Sequence, residues 1–297
     1  MEYRAVFDFL VTFTNGGRIQ GQGFRLDVPG PGLSTGEVGQ LLVAHLGLLM
    51  VEEVQLVHLG FVEEPHRGSR GVPVTSGDGR RLVELSHPIH HGLVTYPGLP
   101  APEISDYLSR ERAEASYGPG VTFQIARVSL VANTGTYVDT PFHRFEGAAD
   151  LAELPLERVA ELEGVLLRTA GSARRGIDAL QLAPLSVRGK AVLLHTGWDR
   201  NFGTDRYPVE APFLTADGAG WLVEQGAALV GIDSINIDDV GDRSRPAHTE
   251  LLRGGIPIVE HLCGLEQLPA TGFRFSAVPP PFRGVGTFPV RAYAVIG

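Results

Sequence analysis

The sequence has little cysteine, methionine or tryptophan. Its 297 residues include 1 Cys, 2 Met and 2 Trp. A single thiol, Cys263, excludes an intrachain disulfide and a zinc site built from cysteines. Because this thiol lies in the apolar stretch 256–265, we interpret Cys263 as a structural residue rather than a nucleophile.

Long apolar runs are missing as well. The longest nearly uncharged one, Leu41 to Val51, has 11 residues and contains His45. A membrane-spanning helix needs about 20 apolar residues, so the run predicts a core helix and we expect no membrane association. The first residues lack the basic, apolar and small-residue regions of a secretory leader, so we expect a cytoplasmic protein.

Positive charge is also in short supply. The chain has 25 Lys and Arg against 34 Asp and Glu, which gives a net charge of −9. Such a chain repels phosphate backbones, so we expect no nucleic-acid partner. The hydrophobic share of 43% is enough to bury a sizeable core. We therefore expect a globular protein.

Residues 1–64 form a pattern of their own. Apolar residues alternate over 7–13, a turn follows at 15–17, and 19–28 predicts a second strand. Ser34 and Glu37 then mark a capped helix start before the apolar run, and 54–62 predicts a third strand. The order is ββαβ, and the role of this small module is unknown.

The rest of the chain predicts a linker followed by one large domain. Residues 65–80 are rich in Gly and Pro among polar residues, which is typical of a linker. From residue 81 to 297 short strands mix with a few helices, which indicates an α/β or α+β domain with a mixed sheet. The clearest elements are strands at 191–194 and 227–232, a helix at 215–225, and closing strands at 273–278 and 289–296.

Three polar stretches follow predicted apolar segments. They are 133–143, 231–239, and 248–252 with Glu260 beyond it. Binding and catalytic groups concentrate at such strand ends. Their Asp, His and Glu side chains are suitable donors for zinc or manganese. By spacing alone, this indication of a metal site is weak.

The same residues also have a structural interpretation. Asp139 can cap a turn before Pro141, and His143 can be a partly buried histidine with a hydrogen-bond partner. The pair Asp238-Asp239 is typical of a solvated turn. His261 follows Glu260 directly, so we expect its side chain to face away from that of Glu260.

The first stretch, Asn133-Thr134-Gly135-Thr136-Tyr137-Val138-Asp139-Thr140-Pro141-Phe142-His143, resembles the H-x-G-T-H-x-D-x-P-x-H motif of the cyclase family of metal-dependent hydrolases. That family includes bacterial kynurenine formamidases, isatin hydrolases and proteins named as polyketide cyclases. The resemblance extends over residues 82–297. It is carried further by Leu85-Ser86-His87-Pro88-Ile89, Tyr96-Pro97-Gly98, His195-Thr196-Gly197-Trp198, Gly231-Ile232-Asp233, and His248-Thr249-Glu250-Leu251-Leu252 with Glu260.

The resemblance implies a swivelling β/β/α fold with a mixed sheet, in a homo-oligomer with one or two metal ions. By position, Asp139, His248 and Glu260 would be metal ligands, with manganese or zinc as the ion. His143 would be the general acid/base. The implied reaction is hydrolysis of a C–N bond in a small amide or lactam by metal-activated water. In the same way, Tyr96 and Trp198 are candidates for substrate binding.

Two positions depart from the family motif. Asn133 and Tyr137 stand where the motif has its first two histidines. An amide oxygen is a poor zinc donor and a phenol must lose its proton to bind strongly, so Asn133 is a weak candidate ligand. The departure leaves two alternatives to metal-dependent hydrolysis. One is a metal-independent cyclase or lyase that uses Tyr137 and His143, and the other is a non-catalytic binding protein on the same fold.

Overall fold

The computed structural model describes residues 2–64 and 79–297. The predicted linker at 65–80 lies almost entirely outside the described residues. The chain divides into two compact units, residues 1–73 and 74–297. Within the described ranges, none of the helices has the length and apolar character needed to cross a membrane.

The first unit has the predicted ββαβ order. Its elements are β1 (Glu2–Phe13), β2 (Arg18–Val28), α1 (Thr35–His45) and β3 (Val51–Glu64). The strands form an antiparallel sheet in the order β2-β1-β3. Alternate residues of β1, Ala5 to Val11, are buried beneath α1, which accounts for the period of two in the sequence.

Helix α1 begins as predicted and ends earlier than predicted. The Ser34 hydroxyl accepts a hydrogen bond from the backbone N–H of Glu37, whose carboxylate accepts from the Ser34 backbone N–H. The helix stops at His45, so the expectation of a helix throughout 41–51 is wrong. Gly47 has a φ of +61°, a conformation that glycine adopts without strain and that ends the helix before β3.

The second unit is built on one large mixed sheet. Its helices are α2 (Arg110–Tyr117), α3 (Ala179–Leu182), α4 (Ala216–Gln225) and α5 (Pro246–Arg253). Its strands are β4 (Arg81–Glu84), β5 (Glu103–Leu108), β6 (Ile125–Ser129), β7 (Tyr137–Asp139), β8 (Leu162–Arg168), β9 (Gly176–Ile177), β10 (Ala191–His195), β11 (Phe213–Leu214), β12 (Leu229–Ile232), β13 (Ile258–Glu260), β14 (Phe273–Ser276), β15 (Thr287–Pro289) and β16 (Tyr293–Ile296). The closing strand expected at 289–296 is in fact two strands, β15 and β16, which lie in different parts of the sheet.

Nine strands form this sheet, in the order β15-β7-β13-β12-β10-β8-β14-β16-β4. The pairs among β8, β10, β12 and β13 are parallel, and the pairs on both sides of them are antiparallel. The prediction of an α/β class with a mixed sheet is therefore confirmed. Two short pairs, β5 with β6 and β9 with β11, lie outside the sheet.

Both faces of the sheet are covered, as the central strand β10 shows. Val192 and Leu194 of β10 pack in one apolar cluster with residues of α4 and α5, whereas Leu193 belongs to the cluster on the other face. A strand buried on both faces has no polar alternation, which explains the continuous apolar run in the sequence. This rigid centre supports the polar residues at its β15-β7-β13 edge.

Candidate active site

Strand register places four polar side chains on one face at the sheet edge. Tyr137 and Asp139 are two residues apart on β7 and so share a face. Glu260 of β13 lies directly opposite Tyr137, and Thr287 of β15 lies directly opposite Asp139. Opposite residues of an antiparallel pair also share a face, so three short strands assemble the polar centre.

Asp139 is the most deeply buried carboxylate of this centre, with no exposed surface. Its Oδ1 accepts a hydrogen bond from the Thr287 hydroxyl, while its Oδ2 has no hydrogen-bond partner among the described residues. Burial favours a raised pKa, but the nearby His248 and His143 outweigh it and hold the pKa of Asp139 below its usual value. Asp139 is therefore an anion with one oxygen open to a ligand.

Thr287 also determines the tautomer of His143. The hydroxyl has one proton, which it donates to Asp139, so at 2.7 Å it must accept a hydrogen bond from Nδ1–H of His143. In a neutral ring this leaves Nε2 without a proton, free to act as a base or a ligand. Gly286 makes the approach possible, because a Cβ there would lie 2.4 Å from the His143 backbone nitrogen.

His248 is held by Asp238, which also caps the start of α5. The Asp238 carboxylate accepts from the backbone N–H of Ala247 at 2.6 Å and from His248 Nδ1 at 2.6 Å. The first N–H groups of a helix have no partner within it, so Asp238 satisfies them from outside. Asp238 is buried, and its interpretation as part of a solvated turn is wrong.

The other ring nitrogen of His248 faces two carboxylates. Nε2 lies 3.7 Å from Oδ2 of Asp139 and 3.7 Å from Oε1 of Glu260, too far for hydrogen bonds but close enough for strong electrostatic attraction. Burial favours a lower pKa, yet the surrounding carboxylates raise the pKa of His248 to about 10. Burial raises the pKa of Glu260 to about 7, against the opposing effect of His248.

These side chains are a chemically suitable set of metal ligands. One ligand atom each from Asp139, His143 and His248 lie within 4.8 Å of one another. The unpartnered Oδ2 of Asp139 is the buried polar atom that a cation would satisfy. The Asp238–His248 hydrogen bond has the form in which a carboxylate orients a metal-binding histidine. The residues present therefore fit a divalent metal ion.

Tyr137 is embedded in a chain of hydrogen bonds. Its hydroxyl donates to Oε2 of Glu260 at 2.7 Å. Nε2 of His261 lies 3.3 Å from the Tyr137 oxygen, and Nδ1 of His261 lies 2.9 Å from the Tyr207 hydroxyl. Burial, together with the charges of Glu260 and Asp139, raises the pKa of Tyr137 well above its usual value. Tyr137 is thus a neutral phenol whose proton is directed at Glu260.

His261 was not expected at this centre. We predicted that it faces away from Glu260, but it is fully buried and contacts Tyr137. Its φ is +56°, in the left-handed region, so the backbone leaves strand geometry immediately after Glu260 and side-chain alternation no longer applies. Burial lowers the pKa of His261 to about 3, so its ring is neutral.

The centre opens into a cavity of about 230 Å³. The lining residues are Tyr96, Leu99, Asn133, Tyr137, His143, Asn236, Arg245, His248 and Glu260. Trp198, a predicted substrate-binding residue, is not among them. Its indole N–H donates to the carbonyl of Tyr207 at 2.8 Å, and the ring packs in an apolar cluster with Tyr96 and Phe202.

Four residues at or near the centre were not predicted as site residues from the sequence. Asp238, Arg245, His261 and Thr287 all contact the predicted site residues or line the cavity. Only Asp238 and His261 stood near a recognisable motif. For Thr287 the one sequence signal was its position just before the predicted closing strand at 289–296, between Gly286 and Pro289.

Known proteins resemble more than half of this chain. A kynurenine formamidase of Bacillus cereus is 25% identical over 220 residues, which is 71% of this chain and 95% of that protein. A kynurenine formamidase of Geobacillus thermodenitrificans is 30% identical over 168 residues, which is 57% of this chain and 78% of that protein.

A solved structure supports the fold assignment. Isatin hydrolase A from Ralstonia solanacearum superposes with a TM-score of 0.64 at 19% identity, over 74% of this chain and 93% of that chain. The family model described as "Putative cyclase" matches residues 83–239, which include β7 and the His143 loop. This match and the identity to the Geobacillus protein agree with the motif resemblance, and the chain therefore belongs to the Cyclase family.

Proposed function

We propose that this protein is a metal-dependent hydrolase that cleaves the C–N bond of a small amide or lactam. The observation that carries the proposal is that His143, His248 and Glu260 line one cavity, while Asp139, with its Oδ2 unpartnered, lies beside His143 and His248. The names of the related kynurenine formamidases and of isatin hydrolase supply the bond type. The substrate itself is a small molecule, in keeping with the cavity volume.

In this proposal Asp139, His248 and Glu260 hold the metal, which is manganese or zinc. Carboxylate and imidazole ligands are compatible with both ions. When bound, such an ion supplies a Lewis acid that polarises the substrate carbonyl and lowers the pKa of water. Asn133 stays a weak candidate ligand, because its amide lies beside the Tyr137 hydroxyl.

His143 is the proposed general base and acid. Its Nε2 has no proton in the tautomer that Thr287 imposes, so it can take a proton from the attacking water. The same nitrogen then passes the proton to the leaving amine nitrogen as the C–N bond breaks. Asp139, through Thr287, stabilises the positive charge that His143 acquires between these two steps.

The role proposed for Tyr137 is structural. An acid that protonates the substrate needs a proton directed at the substrate, whereas Tyr137 donates to Glu260. Its raised pKa also makes proton loss unfavourable near neutrality. These observations favour the hydrolase over the metal-independent cyclase or lyase. They assign to Tyr137 the task of orienting Glu260.

The test is turnover of two simple substrates, formanilide and isatin, by protein with a measured metal content. We expect aniline release or ring opening by protein loaded with manganese or zinc, and its loss after chelation and dialysis. His143→Ala should lower kcat by about 100-fold or more, since a positioned acid–base group typically contributes about 10²–10⁴. Turnover that survives complete removal of metal, or that His143→Ala leaves unchanged, would rule out the proposed mechanism.

A further inference from the structure

The outer part of the site is lined by arginines. A second cavity of about 210 Å³ is formed by His143, Arg144, Arg243, Arg245 and His248, and we name it the arginine vestibule. It shares His143, Arg245 and His248 with the inner cavity. Typical ligand pockets have volumes of roughly 300–1,000 Å³, and each of these two cavities alone is smaller. A substrate large enough to fill a typical pocket would therefore extend through both cavities.

The charge of the vestibule runs against that of the protein. Three guanidinium groups lie at its lining in a chain with a net charge of −9. Within residues 2–64 and 79–297, no carboxylate forms an ion pair with Arg144, Arg243 or Arg245. Arg144 donates to the Thr249 hydroxyl and Arg245 to the side-chain oxygen of Asn236, both of which are neutral.

The acidic residues nearest in sequence are engaged elsewhere. Asp239 pairs with Arg175 at 3.1 Å. Asp242 accepts hydrogen bonds from the backbone N–H and the hydroxyl of Ser244. The carboxylate of Asp238 is buried and is used by α5 and His248. None of these three carboxylates forms an ion pair with an arginine of the vestibule.

Arg245 is held in place at some cost. Its backbone is left-handed, with φ 53° and ψ 56°, a conformation that is strained for a non-glycine residue. Its guanidinium reaches Oδ1 of Asn236 at 2.6 Å, and that same oxygen accepts the backbone N–H of Asp238. Asn236 thereby fixes the guanidinium at the junction of the two cavities.

We propose that the arginine vestibule binds a carboxylate of the substrate, so that the preferred substrates are anionic amides. Arginine is well suited to the task, because its planar group binds a carboxylate through two hydrogen bonds. The substrate class is an N-acyl amino acid or N-acyl aminobenzoate whose carboxylate lies a few bonds from the scissile amide. This inference rests on the proposed function, since it specifies which amides that site accepts.

Matched substrates test the preference. The anionic substrate is 2-formamidobenzoate, which water converts to 2-aminobenzoate and formate, and its methyl ester is the neutral counterpart. We expect kcat/KM to be about tenfold higher or more for the anion at low salt, because a partly exposed charge pair contributes this order of magnitude. The advantage should arise from a lower KM for the anion, with similar kcat values for the two substrates. The advantage should shrink at about 0.5 M salt, where exposed charges are screened.

Variants then assign the preference to the vestibule. Arg243 is exposed, and Arg243→Gln should reduce the ratio of the two kcat/KM values about threefold to fivefold. Arg243→Lys, which retains the charge but not the planar group, should retain part of the ratio. Arg291→Gln is the control, because this exposed arginine pairs with Glu84 and does not line either cavity. A ratio near one in the wild type, or a ratio that Arg243→Gln leaves unchanged, overturns the proposal.

A binding experiment separates this inference from the proposed function. The ketone 2-(2-oxopropyl)benzoate, the analogue of 2-acetamidobenzoate in which CH2 replaces the amide N–H, and its methyl ester can be titrated calorimetrically into metal-loaded protein. Tighter binding of the anion that weakens in Arg243→Gln supports the vestibule even when neither amide is hydrolysed. Equal binding of both ketones overturns the vestibule, even when both amides are hydrolysed.

Discussion

Thr287 Oγ lies 2.7 Å from Nδ1 of His143, and the same hydroxyl donates to Oδ1 of Asp139. The threonine thus stands between a buried anion and the proposed general base, where it fixes the tautomer of the base. A hydroxyl in this place has no direct contact with the attacking water. Thr287 is a positioning residue.

Replacement of Thr287 by Val should remove this control at nearly constant volume. We expect kcat to fall about tenfold to 100-fold with little change in KM, since acid–base catalysis by a misoriented histidine is impaired. Steady-state kinetics on an aryl formamide measure both constants. Thr287→Ser retains the hydroxyl and should recover most of the rate, whereas an equal loss in both variants would point to packing alone.

Metal binding should release protons. Without a cation the positive charge between Asp139 and Glu260 is provided by His248, whose pKa is raised to about 10. A metal ligand must be deprotonated, so uptake at pH 7.5 should release about one proton per ion. Calorimetric titration in two buffers of different ionisation enthalpy measures this number. Asp205→Asn, at an exposed site, serves as the control, and uptake without proton release would contradict the assignment.

Asp238 should affect the metal through His248. In Asp238→Asn the side-chain oxygen can still accept the helix N–H groups, but the charge that polarises the imidazole is lost. We expect metal affinity to fall about tenfold to 100-fold, as for other residues that orient a metal-binding histidine. Competition with a chromogenic chelator measures the affinity. Circular dichroism checks that the fold persists, and an unchanged affinity would contradict the orienting role of Asp238.

Tyr137→Phe separates the hydrolase from the metal-independent alternative. If the phenol orients Glu260, its removal should lower kcat by about tenfold to 100-fold and leave the activity metal-dependent, because a hydrogen bond to a charged group contributes about 1.5–3 kcal/mol. If the phenol is the catalytic acid, Tyr137→Phe should abolish the activity, and the activity of the wild type should survive chelation. Rates of wild type and variant, each with and without metal, decide between these outcomes.

Acid should destabilise the fold through His261. Its folded pKa is about 3, below the 6.5 of an unfolded histidine, so between these values only the unfolded chain takes up the proton. The stabilisation is complete above pH 6.5 and is lost as the pH falls. The free energy of unfolding lost through His261 between pH 7 and pH 4.5 is about 2 kcal/mol. In urea denaturation His261→Gln should be less stable than wild type at pH 7 but should lose less on acidification.

The sequence predicts some parts of the site and not others for physical reasons. Asp139, His143, His248 and Glu260 belong to motifs, and the structure brings them together, the last three at one cavity and Asp139 beside the two histidines. The mixed sheet also follows from local apolar patterns, because buried parallel strands have no polar alternation.

The missed residues act through contacts between distant segments. In the sequence Asp238 resembles part of a solvated turn, because the N–H groups that it accepts from belong to α5 and are not evident from its neighbours. The orientation of His261 depends on a left-handed φ, which its neighbours do not reveal. Thr287 acts only because β15 pairs with β7 from 148 residues away. Such long-range pairing has no local signature.

The register of β7 links folding of the chain to assembly of the polar centre. A slip by one residue would turn Asp139 into the apolar cluster that holds Val138 and would turn Val138 towards the ligands. An ionised carboxylate in that cluster is costly enough to unfold the strand edge. A mispaired chain is therefore removed by instability and does not persist as folded, inactive material. Folding and assembly of the polar centre are therefore coupled, and a copy that folds has Asp139 beside His143 and His248.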